Sequence, residues 1–79
     1  MNPEEIINVN PNILSGTPVF RGTRVPVESL FAHLERGIAL DDFLDDFPAV
    51  KKEQAIAILE IASKMFRPEY LHKLYETAA

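Results

Sequence analysis

The chain has 79 residues, 47% of them apolar and 25% charged, the balance of a single ordinary globular domain. It contains no cysteine, which excludes a disulfide framework, a thiolate zinc site, a thiol nucleophile and a redox switch together. Eight Lys and Arg stand against twelve Asp and Glu, a net charge of −4; phosphate neutralisation demands a basic surface, so DNA contact would need a local patch or a multimer.

Residues 1–26 hold four of the six prolines and two of the three glycines, which predicts a prefix without helix. Ile6-Ile7-Asn8-Val9 is β-branched and apolar and reads as a short strand. Asn10-Pro11-Asn12 reads as a turn. Pro18-Val19-Phe20 and Arg24-Val25-Pro26 flank Arg21-Gly22-Thr23, the pattern of a tight hairpin. A proline in each arm places part of each strand at an edge or a terminus. Exposed strand edges pair readily, so this β-arm is the expected dimer element.

From residue 27 the apolar period changes to 3.6. Val27, Leu30, Phe31 and Leu34 fall on one helical stripe, stopped by Gly37 in the C′ position. Leu40, Phe43, Leu44 and Phe47 repeat the spacing over a shorter helix that Pro48 ends. Asp41 and Asp42 lie in its first turn, where negative charge suits the helix dipole. A third helix is predicted over 52–66. Pro68 ends it and can open a last helix, with Tyr70, Leu71, Leu74, Tyr75 and Ala78 as its apolar stripe.

The expected fold is therefore mostly α. A β-arm and hairpin (1–26) precede a bundle of three or four helices (27–79), all in one structural domain. Such a bundle suits a helix-turn-helix, although periodicity alone does not separate it from other small bundles. Ala55, Ala57, Ile58, Leu59, Ile61, Ala62, Met65 and Phe66 cover more than half of the third helix, a wider stripe than a surface helix needs. Its outer strip holds Lys52, Glu53, Glu60, Ser63 and Lys64, with Ile56 among them. That strip is mixed in sign and lacks the arginines that read base edges.

Four candidate features carry chemistry. Arg21 and Arg24 sit at the hairpin, where guanidinium groups suit DNA phosphates or a partner's carboxylates; solvated or locally paired arginines are the equal alternative. The glycines around them have neither P-loop nor dinucleotide spacing. Asp41, Asp42, Asp45 and Asp46 cluster on the second helix. Read as Mg²⁺ ligands they lack an accompanying base or histidine; the plainer reading is a solvated face, and a third is a docking face for a basic partner. His33 and His72 lack metal-ligand spacing and read as surface histidines. Ile56, Tyr70 and Tyr75 read either as an association patch or, for Ile56, as a residue covered by the last helix. No serine has a nucleophile context and no cofactor is called for, so the chain reads as a non-enzyme.

No run approaches the ~20 apolar residues of a membrane span, and the acidic start, Met1-Asn2-Pro3-Glu4-Glu5, does not read as a secretory signal. A cytoplasmic protein is expected.

The string Gly16-Thr17-Pro18-Val19-Phe20-Arg21-Gly22-Thr23-Arg24-Val25-Pro26-Val27 resembles the signature of the domain-of-unknown-function 433 family, G-x-P-x-x-x-G-T-R-x-x-V. Ile6 to Pro11 resembles that family's opening strand, and Gly37 to Pro48 resembles its G-x-S-x-E-E-I-L-x-D-Y-P segment. The resemblance implies a homeodomain-like helix-turn-helix acting as the antitoxin of a bacterial type II toxin–antitoxin pair, with a PIN-like toxin as partner. It departs from the family at Ala39 and Lys51, where Ser or Thr caps are usual. Two functions are expected from different classes. One is an antitoxin that neutralises its toxin and represses its own operon as a homodimer or higher homo-oligomer, with Arg21, Arg24, Lys51, Lys52 and Lys64 on phosphate. Its toxin would meet the acidic face and the last helix. The other is an interaction module that never touches DNA.

Overall fold

A computed structural model describes residues 2–78, apart from the side chains of Leu74, Thr77 and Ala78. The chain is mostly helical, with one short antiparallel strand pair at its N-terminal end. It opens on a single helical turn, α1 (Pro3–Ile6), in the prefix expected to contain none. The physical reason is position. Pro3 stands at N1, where its missing N–H costs nothing, and Glu4 and Glu5 follow in the first turn, favoured by the dipole. Ile6 closes the turn and is fully buried.

The strands are shorter than the sequence implies, and they pair over a longer range. β1 (Ile7–Asn8) pairs antiparallel with β2 (Val19–Phe20) in the register Ile7↔Phe20 and Asn8↔Val19. The predicted local hairpin survives as one bridge, Val19↔Pro26. Around it, the Phe20 amide donates to the Val25 carbonyl at 3.0 Å and the Val27 amide to the Pro18 carbonyl at 3.0 Å. Thr23 closes the loop, its hydroxyl donating to the Phe20 carbonyl (2.8 Å) and accepting from the Val25 amide (3.0 Å). Gly22, at φ 81°, takes the left-handed position that favours glycine.

β2 is thus flanked on both sides, and Ile7 of β1 spends its N–H on the Pro3 carbonyl and its carbonyl on Arg21 Nη2. The prefix is no separate arm. Ile6 and Phe20 join Leu30, Phe43, Val50, Ala55 and Ile58 in one core. Ile6, Val19 and Phe20 of the prefix are thus spent within a single copy, while Val9 and Leu14 stay exposed.

The first three helices after residue 26 follow their predicted stripes, the third as far as Ile61. α2 (Val27–Glu35) buries Leu30. It ends where Gly37 stands at φ 80°. There the Gly37 amide donates to the Leu34 carbonyl and the Ile38 amide to the His33 carbonyl, the paired bonds of a Schellman stop. α3 (Leu40–Asp46) buries Phe43. That ring contacts Phe47 at 5.0 Å and Phe20 at 6.4 Å between centroids. α4 (Lys52–Lys64) buries Ala55 and Ile58. It stops two residues before the predicted end, where a run of tight turns carries the chain toward α5 (Pro68–Ala78).

Candidate protein-interaction surface

The residues expected to hold phosphate are divided: Arg21 is tied to the start of α4, where Lys51 and Lys52 stand, and Lys64 lies at the far end of that helix. Arg21 follows β2 and turns back onto its own chain. Its Nε donates to the Glu4 carbonyl at 2.9 Å and its Nη2 to the Ile7 carbonyl at 3.1 Å. Its own carbonyl accepts the Gln54 side chain (Nε2, 3.0 Å). Gln54 Oε1 in turn accepts the Lys51 amide at 2.9 Å, at the start of α4. Lysine has no acceptor atom, so Gln54 supplies the reciprocal half of a capping box alone. Arg21 and Gln54 together tie α1, β1, β2 and the start of α4. Arg24 is exposed and makes no hydrogen bond or ion pair with another described residue.

Lys51 and Lys52 lie at the N-terminal end of α4, and Lys52 pairs with Asp41 at 3.4 Å, both well exposed. Lys64 stands at the other end, twelve residues away, or about 18 Å along the axis. Between them the outward strip carries Glu53 and Glu60, and Arg67 approaches Glu60 at 3.9 Å. No continuous basic face results. Asp42, Asp45 and Asp46 remain exposed on α3 without an ion pair to a described residue. Among the described residues no three His, Asp or Glu side chains gather as a metal site.

The histidines separate. His72 is exposed and lies 2.9 Å from Glu76. His33, expected at the surface, is half-buried instead. Its ring meets Phe43 edge-on at 5.1 Å and Phe47 at 5.4 Å, while Nδ1 lies 2.6 Å from the Ser29 carbonyl. It belongs to the α2–α3 packing, because its helical position falls beside the Phe43–Phe47 pair.

Exposed apolar residues concentrate in the turn between α4 and α5 and on α5 itself. Phe66 is 66% exposed and Tyr75 65%, with Met65 and Tyr70 about half exposed. Met65, Tyr70 and Ile61 line one depression with Asn2 and Pro3. Met65 and Phe66 had been expected on the core stripe; α4 ends at Lys64, so the stripe never reaches them. The legible signal was Pro68, which forces the chain to turn. Ile56 is 50% exposed, so the reading in which α5 covers it does not hold. Among the described residues α5 makes no extensive contact with another element. The stripe residues Leu74 and Ala78 lie outside the described side chains.

A family model described as "Protein of unknown function (DUF433)" matches residues 7–62, from β1 nearly to the end of α4. An uncharacterised protein of Sinorhizobium fredii is 42% identical over 50 residues, 63% of this chain and 23% of that relative. The chain thus spans under a quarter of that relative's length. No solved structure matches. Among the described residues no helix is long and apolar enough to cross a membrane.

Proposed function

The chain belongs to the DUF433 family, and on that footing we propose that it is the antitoxin of a bacterial type II pair, neutralising a PIN-like toxin by occlusion in the cytoplasm. It performs no chemistry of its own. The observation that carries the proposal is the exposure of Met65, Phe66, Tyr70 and Tyr75 at and after the α4–α5 turn, where Met65 and Tyr70 line one depression. Exposed apolar residues near one another mark association sites, and tyrosine is a frequent anchor of binding energy. These residues lie past residue 62, beyond the family match, where a surface specific to one partner belongs. The carboxylates of α3 add long-range attraction for a basic partner, which raises the association rate.

Operator binding is not part of this proposal. In a helix-turn-helix the helix before the recognition helix crosses the phosphate backbone. Here that helix would be α3, with four exposed aspartates, followed by Glu53 and Glu60 on α4. This charge favours an interaction module that leaves DNA alone. A gel shift with the chain's own promoter at two salt concentrations separates the two; a salt-sensitive shift restores the operator role.

The toxin half is tested by purifying the chain with the product of the adjacent reading frame and assaying that product's ribonuclease activity. Wild type is expected to bind and inhibit. Tyr70→Ala with Tyr75→Ala is expected to bind about 100-fold more weakly, at ~1–2 kcal/mol per anchor. Absence of binding by wild type, or full inhibition by the double variant, refutes the proposal.

A further inference from the structure

A second surface lies on the outward side of α4, a shallow groove lined by Glu53, Ile56, Ala57, Glu60, Ile61 and Lys64. Its residues are ordered in a particular way. About the midpoint of 53–64 each lining residue has a counterpart that also lines the groove: Glu53 with Lys64, Ile56 with Ile61, Ala57 with Glu60. An acid at one end therefore mirrors a base at the other, with isoleucines inside them. A surface of this kind is complementary to itself when turned end for end, which is the requirement of a two-fold contact.

We propose that this groove is where two copies of the chain meet, α4 against α4 in antiparallel orientation. Antiparallel packing sets Glu53 of each copy opposite Lys64 of the other and brings Ile56 across to Ile61. Ala57, near the axis, is small enough to let the helices approach closely. Glu60 also falls near the axis, where two like charges would repel; Arg67, at 3.9 Å, offsets its charge within each copy. Beyond the groove, Met65 comes over Lys52 of the second copy, whose methylene stem can cover it. Ile56, half exposed in the single chain, is covered in the pair.

The prefix does not compete for this role, since its strand edges are used or are two residues long. The groove adjoins the α4–α5 corner, since Ile61 and Lys64 line both depressions; its test is therefore made on the chain alone, where self-association is read without any toxin. The groove spans about 16 Å of helix, small for a stable interface. A weak, salt-sensitive dimer is the expected form.

The test is a charge exchange on the full chain, followed by sedimentation equilibrium from roughly 1 µM to 1 mM at low salt. Glu53 and Lys64 are both exposed, and circular dichroism of each variant confirms that the fold is kept. Wild type is expected to dimerise. Glu53→Lys alone and Lys64→Glu alone each place like charges across both ends, and each is expected to weaken dimerisation at least tenfold. The double exchange restores opposite charges and is expected to return to within about threefold of wild type. Monomeric wild type throughout, single variants that dimerise like wild type, or a double exchange no better than the singles would each overturn the proposal.

Discussion

Arg21 shows how a single side chain can be read from sequence as unusual while its local partners stay hidden. Two guanidinium groups beside a glycine hairpin pointed outward, to phosphate or carboxylate. In the fold, Arg21 binds the carbonyls of Glu4 and Ile7, groups that sequence spacing does not connect with it. Gln54 was invisible for the same reason, since its partner carbonyl lies 33 positions away. Both assignments give predictions that a ligand role would not. Gln54→Ala removes a cap and a tie to the hairpin, and is expected to lower unfolding free energy by about 1–2 kcal/mol in urea titration. Arg21→Lys keeps the charge and loses the fork geometry, and is expected to cost about 1 kcal/mol. Unchanged urea midpoints in both would place these residues outside the framework.

The elements divide by the range of the forces that make them. α2, α3 and α4 were legible because a 3.6-residue stripe and a Gly or Pro stop are local signals, and Gly37 stands at the C′ position it was given. The β pairing was not legible in the same way. Asn8 meets Val19 across a ten-residue connection, and the nearer partner, Pro26, keeps only one bridge because proline has no N–H to extend a ladder. α1 escaped because proline was counted against a helix without regard to its N1 position. The N-terminal end of α3 was read correctly as uncapped: Ala39 has extended backbone and no side-chain bond to the helix. Ala39→Ser is therefore expected to stabilise the chain by about 1 kcal/mol. In a domain this size that raises the thermal midpoint by roughly 4–8 °C. A midpoint that stays put would mean the first turn is already satisfied by other means.

At the scale of the whole molecule, one core joins the prefix to the helices, and no described side chain of α5 belongs to it. The core takes residues from both the 1–26 prefix and the 27–79 bundle. Ile6 and Phe20 are as deeply buried as Leu30 and Phe43, so removing residues 2–9 is expected to unfold the chain, seen as loss of the cooperative thermal transition. The last helix was legible as amphipathic, but nothing in its own sequence told whether its stripe faced this chain or another. Deleting residues 68–79 separates the two cases. The shortened chain is expected to melt within a few degrees of the full one, yet to lose binding and inhibition of the toxin. If it instead unfolds, α5 belongs to the core; if it folds and still inhibits the toxin at full strength, the α4–α5 corner is not the docking surface.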